Sequence, residues 1–228
     1  MIPLRDSIRP RRAPFINWIL IGLNLFVFFQ ELTLSPNELN QLFFNLGVVP
    51  ARVFHVLAMG APVEPLLIPF ITSMFLHGGW VHVLGNMLYL WIFGDNVEDR
   101  LGHFRYLLFY LLAGMAGSLA HVITNPTSPV PVVGASGAIA GVLGAYFITF
   151  RHSRVLALVP IFFFLTIMEI PAVIFLALWF VIQLFNGAAS LGGAVNPVAW
   201  WAHIGGFVIG MILIKLMAPR PRYDYPRW

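Results

Sequence analysis

Cysteine is absent from this chain, and charge is scarce, with Asp, Glu, Lys and Arg together making up 10% of residues. Without cysteine there is no disulfide, no thiolate metal site and no cysteine nucleophile, although the redox compartment stays open. A soluble globular domain usually carries about 25% charged residues, so that class is excluded. No H-E-x-x-H occurs, which removes the usual zinc protease. What the chain has instead is 59% hydrophobic residues and a mean hydropathy of +0.84. This is the composition of an integral, multi-pass membrane protein. Its 228 residues leave room for roughly six or seven spans of about 20 residues each. The net charge of +4 does not point to nucleic acid, because its distribution follows membrane orientation.

Six apolar windows read as spans: Phe15–Leu32, His77–Gly94, Phe104–Ile123, Val133–Phe150, Pro171–Phe185 and Val198–Met217. A further apolar piece, Val155–Met168, is short for a span and contains Pro160. Charge decides its status. Arg5, Arg9, Arg11 and Arg12 precede the first window, Arg100 and Arg105 come after the second, and Arg151 and Arg154 come after the fourth. Lys215, Arg220, Arg222 and Arg227 close the chain. With six spans and a cytoplasmic N-terminus all of these are cytoplasmic, and Arg52 alone lies outside. A seventh span would break the pattern, so Val155–Met168 is expected to be a cytoplasmic loop dipping into or lying along the membrane.

The expected organisation is therefore a cytoplasmic segment 1–14, a six-span domain 15–217 and a cytoplasmic tail 218–228. The first external connection, about Thr33 to Leu76, is long and partly apolar and should rest on or in the outer leaflet. Thr124–Pro131 is uncharged with three prolines, and its stiffness should position the start of the fourth window. Asn186–Asn196 is rich in Gly and Ala and is expected to be mobile. No cleavable signal peptide is evident.

Four polar side chains fall in the outer half of the bilayer on three windows. Ser136 lies at the start of the fourth and His203 near the start of the sixth. His82 lies near the start of the second, with Asn86 one turn later on the same face. Gly137 and Gly141 form a G-x-x-x-G face on the fourth window, and Gly206 and Gly210 form another on the sixth. In lipid, such faces let helix backbones approach closely. That approach would bring the Ser136 hydroxyl to His203. Serine is a weak nucleophile that needs a base, and neutral histidine suits the task. An oxyanion would be met by the Ser136 backbone N–H, the Asn86 amide and the His82 ring. No acidic residue lies at that depth, so the expectation is a Ser–His dyad. His77 reads as structural.

These residues resemble the rhomboid family of intramembrane serine proteases. The resemblance rests on G-x-S-G-x-x-x-G at Gly134–Gly141, A-H-x-x-G at Ala202–Gly206 and H-x-x-x-N at His82–Asn86. The surrounding Thr72–His82 segment, continuing through Gly85-Asn86-Met87 to Val97-Glu98, also matches. The resemblance implies an all-α membrane protein, a six-helix rhomboid-like bundle with both termini cytoplasmic. Ser136 would be nucleophile, His203 base and then acid, and His82 and Asn86 would complete the oxyanion hole. It further implies single-span substrates cut near the extracytoplasmic face, and a gate at the fifth span that points to Trp179 and Phe180. No metal or cofactor is implied. The expected location is the cell membrane of a prokaryote. One departure stands out: where some members carry a Trp-Arg pair, this chain has Ile68 and Pro69.

Three other readings compete. A non-catalytic rhomboid-like protein that binds membrane clients usually lacks the serine or histidine, and both are present. A channel needs polar groups through the cytoplasmic half, which is almost uniformly apolar. Haem ligation by His82 and His203 leaves the serine and glycine runs unexplained. The G-x-S-x-G elbow of soluble hydrolases is not matched, because Gly137 directly follows Ser136.

Overall fold

Each of the six apolar windows forms one helix in the computed structural model, which describes residues 1–161, 164–191 and 198–219. Strand β1 (Ile2–Asp6) leads to α1 (Phe15–Glu31), and three short helices come next: α2 (Pro36–Leu46), α3 (Pro50–Ala58) and α4 (Glu64–Thr72). A 3-10 turn at Ser73–Phe75 precedes α5 (Trp80–Leu101), α6 (His103–Thr124) and α7 (Ser136–Thr149). Strands β2 (Arg154–Ile161) and β3 (Phe164–Pro171) lead on to α8 (Ala172–Ser190) and α9 (Trp200–Met217). Helices α6, α8 and α9 are each long and apolar enough to cross a bilayer. The α4 segment and α5 meet that test together, but are bent by 86° at their junction. The protein is mostly helical and belongs in a membrane.

The connection between α1 and α5 is built of three short helices. Helix α2 starts at a capping box, with Ser35 and Glu38 satisfying each other's backbone N–H groups, and Pro36 in its first turn. The Gly/Ala-rich connection after the fifth window is helical through Ser190, and its residues 192–196 lie outside the described residues. The tail 218–228 likewise lies outside them from residue 220 on.

One expectation needs correcting: the protein is mostly helical but not all-α. Residues 154–161 and 164–171 form an antiparallel hairpin, and β1 pairs antiparallel with β2 to make a three-stranded sheet in the order β1-β2-β3. Val155 and Ala157 are fully buried while Arg154 and Pro160 are exposed, so β2 turns alternate side chains to the core. The sheet is tied to the helix ends through Asp6, whose carboxylate accepts from the Tyr146 hydroxyl and, at 2.8 Å, from the Asn96 amide. Burial holds the Asp6 carboxyl above its ordinary range.

Helix α1 is fixed by a carboxylate from another helix. Buried Glu98 on α5 accepts from the backbone N–H of Ile16 (3.0 Å) and of Asn17 (2.7 Å), and also meets His103 Nδ1. These are orphan donors of a helix N-terminus, where negative charge is favourable. Glu98→Ala should cost about 3 kcal/mol by stranding buried donors. Thermal unfolding in detergent checks this, and an unchanged midpoint would show that α1 is held by packing alone.

Helix α7 sits at the centre. Every residue from Gly137 to Tyr146 is buried, so it needs no polar face and is lined with Gly, Ala and aliphatic side chains. Its 14 residues span only about 21 Å at 1.5 Å per residue, against a hydrocarbon core of about 30 Å. One end of α7 must therefore stop short of a membrane surface.

Candidate active site

Ser136 is the first residue of α7, and the chain before it is pinned. Val48 and Val132 exchange backbone hydrogen bonds at 3.1 and 2.8 Å, and the Gly134 N–H donates to the Ser73 carbonyl at 2.8 Å. Gly134 has φ +121°, a conformation side chains rarely adopt, and a Cβ there would strike the His82 ring. Glycine is thus required both by the turn and by the approach of His82. The bonds that pin the approach to Ser136 are made at Val132 and Gly134, just after the proline-bearing connection.

Close helix packing brings histidine to serine. A Cβ on Gly206 would run into the Gly137 carbonyl, one on Gly210 into the Gly141 carbonyl, and one on Gly144 into the Phe207 carbonyl. Helices α7 and α9 therefore touch backbone to backbone through the glycine faces read from the sequence. Helix α6 joins them, since Gly117 lies against the Ala202 carbonyl and Gly205 against Ala120. Three residues inside α9, His203 places its Nε2 2.8 Å from the Ser136 Oγ. That is an ordinary hydrogen-bond length.

His82 and Asn86, on the first turns of α5, reach the same place. A Cβ on Gly134 would lie 2.6 Å from His82 Nε2 and 3.7 Å from Asn86 Nδ2, so both side chains flank the segment leading to Ser136. All four residues line one cavity of about 1420 Å³ at the end of the bundle where α5, α7 and α9 begin. The shortness of α7 makes room for it. Trp179 on α8 lines the cavity as well, its ring centroid 6.1 Å from that of His203. Phe180 does not line it and stacks on Phe207 at 4.5 Å. At the positions of the missing Trp-Arg pair, Ile68 is exposed and Pro69 is buried within α4.

Two residues escaped the sequence reading. Gln183 on α8 is buried, and its Oε1 lies 2.9 Å from His203 Nδ1 while its Nε2 donates to the Trp179 carbonyl at 3.0 Å. The signal was available: Gln183 is the one polar side chain between Ala172 and Phe185. His77, read as structural, is buried with Nε2 3.0 Å from Asn86 Nδ2, and its backbone N–H reaches the Glu31 carboxylate at 3.1 Å. It therefore orients Asn86. Nothing in its local sequence marks that bond, which closes across the Gly78-Gly79 bend and the first turns of α5. Among the described residues no group of three or more His, Cys, Asp or Glu is placed to hold a metal.

The arrangement can do acyl transfer: a hydroxyl facing an imidazole, with ring and amide N–H groups nearby, at the floor of a cavity. Comparison with known proteins identifies the family. Residues 65–220 match the Rhomboid family model, described as a rhomboid domain. RHOMBOID-like protein 5 of Arabidopsis thaliana is 32% identical over 155 residues, covering 68% of this chain and 45% of that protein. Rhomboid-like protein 11, chloroplastic, of the same plant is 26% identical over 224 residues, covering 95% of this chain and 70% of that protein. Rhomboid protease GluP of Bacillus subtilis (strain 168) is 35% identical over 135 residues, covering 59% of this chain and 25% of that protein. This chain thus spans less than half the length of the first relative and a quarter of the third. Since relatives come from a plant and a bacterium alike, they do not single out a prokaryotic membrane. With the family model matching residues 65–220, well over half of its length, the chain belongs to the rhomboid family.

Proposed function

We propose that the chain is an intramembrane serine endopeptidase that cuts single-span membrane proteins near the extracytoplasmic face. The observation that carries this reading is the 2.8 Å contact between Ser136 Oγ and His203 Nε2 at the floor of a cavity. Helices α1 and α5–α9 would cross the bilayer as a six-span domain, 15–217, with both termini cytoplasmic. The positive residues then gather on one side, and the cavity opens on the other. That places the short end of α7 beneath the external surface, where water reaches Ser136 without crossing lipid.

In this mechanism the Ser136 Oγ attacks the substrate carbonyl carbon while its proton passes to His203 Nε2. The new C–O bond forms as the carbonyl π pair moves onto oxygen. The oxyanion is met by the Ser136 backbone N–H, the Asn86 amide and the His82 ring. The imidazolium returns its proton to the amine as the C–N bond breaks, leaving an acyl-enzyme. Water, deprotonated by His203, then releases the acid and restores Ser136. His77 holds the Asn86 amide in place through the bond described above. Trp179, beside His203 on the cavity wall, is the better candidate for a gate, and Phe180 braces it from Phe207.

Asn86→Ala should lower turnover about 10²-fold in protein kept below its unfolding midpoint, the usual effect of losing one oxyanion donor. A turnover within a few-fold of wild type would remove Asn86 from the hole. The proposal itself is tested with the purified chain in lipid vesicles holding a reporter span with small, helix-breaking residues. Mass spectrometry of the products should place the cut near the extracytoplasmic end. If no reporter is cut while added chain still binds them, the non-catalytic client-binding reading takes over.

A further inference from the structure

We infer that Gln183 is a positioning residue that fixes the tautomer of His203 and so arms it as the base for Ser136. The inference rests on the protease reading and deepens it. A histidine can take the serine proton only through a bare ring nitrogen, so the hydrogen must sit on Nδ1 when Nε2 faces Ser136. Gln183 sets this from the far side. Its amide nitrogen donates to the Trp179 carbonyl at 3.0 Å, which turns the oxygen Oε1 toward His203 Nδ1 at 2.9 Å. An oxygen can only accept there, so Nδ1 carries the hydrogen and Nε2 keeps its lone pair for the hydroxyl at 2.8 Å. Among the described residues, the rings of Trp179 and Trp200 lie against that of His203, and neither indole carries an acceptor for Nδ1.

The chain Trp179 carbonyl–Gln183–His203–Ser136 has the logic of a serine triad, with a neutral amide where a carboxylate usually stands. A neutral partner suits the site. A buried carboxylate at membrane depth would carry a desolvation cost that an amide avoids. Helix α8 thereby contributes to the chemistry, not only to the cavity wall: it carries both the acceptor and the carbonyl that orients it.

The test compares wild type with Gln183→Leu, which keeps the volume but removes the acceptor, and Gln183→Glu, which restores an acceptor. In the vesicle assay Gln183→Leu should lower kcat about 10–100-fold, the range seen when a metal-bound histidine loses its orienting partner. KM should stay within about twofold, since the lost interaction serves the transition state and not substrate binding. Gln183→Glu in its neutral acid form, with the O–H donating to the Trp179 carbonyl and the C=O accepting from Nδ1, should recover most of the loss. Nitrogen-15 NMR of histidine-labelled protein should show the hydrogen on Nδ1 of His203 in wild type and a mixed population in Gln183→Leu. Should the leucine variant not fold, Gln183→Asn, one methylene too short to reach, decides by the same readouts. Wild-type kcat in the variant, a loss confined to KM, or an unchanged tautomer would overturn the inference. The NMR readout needs no substrate, so cleavage surviving in Ser136→Ala would sink the protease reading and leave the tautomer result standing. A dead Ser136→Ala beside a fully active Gln183→Leu would sink the positioning role alone.

Discussion

Replacing Ser136 by Ala is expected to abolish cleavage of a reporter span in vesicles, with turnover falling by about 10⁴-fold or more. The hydroxyl is the only atom removed, and among the described residues its hydrogen-bond partner is His203. The fold should therefore survive, and thermal unfolding in detergent should match wild type. His203→Ala is expected to fall as far, because serine without its base is a poor nucleophile. The double variant should be no worse than either single one, since residues that act as a unit are not additive. Additive losses, or a tenth of wild-type turnover in either single variant, would show that the two side chains work separately.

The second large effect comes from a single methyl group placed at the contact between two helices. Gly206→Ala puts a Cβ into the Gly137 carbonyl, and backbone cannot move aside as a flexible side chain can. Helices α7 and α9 must separate, which takes Ser136 Oγ and His203 Nε2 beyond their 2.8 Å contact. A misplacement of about 1 Å typically costs about 10²-fold in rate, and overpacking of this kind costs about 1–3 kcal/mol in stability. The control is Gly22→Ala on α1, where a Cβ meets nothing within 4 Å. That variant should keep its activity and gain slightly in stability, because alanine is the better helix former. Equal behaviour of the two glycine variants would mean that helix contact does not set the geometry of the site.

The helices were legible because lipid simplifies the reading: backbone polar groups must be satisfied within each segment, so apolar windows become helices. The contact of Ser136 with His203 was legible for a related reason. Glycine faces at Gly137/Gly141 and Gly206/Gly210 report backbone approach through local spacing alone. What escaped was nonlocal. Strand β1 pairs with β2 across more than a hundred residues, and a charged N-terminal segment containing Arg5 and Asp6 reads as a solvated tail until its partner is known. The apolar run after α7 looked like a membrane-hugging loop because strand alternation in β2 is masked: its outward positions also hold Leu156 and Leu158. Gln183 escaped for a different reason. A single glutamine in an apolar helix is visible, but its partner depends on how α8 rotates against α9, and no spacing rule fixes that rotation.

The most direct measurement of the central claim is covalent capture of the serine. A fluorophosphonate offered to the lipid-embedded chain should add one phosphonyl group, and peptide mass spectrometry should locate it on Ser136. The adduct should disappear in His203→Ala, because only a hydroxyl relieved of its proton by that ring attacks phosphorus at a useful rate. Label on another residue, or equal labelling of Ser136 without His203, would contradict the account.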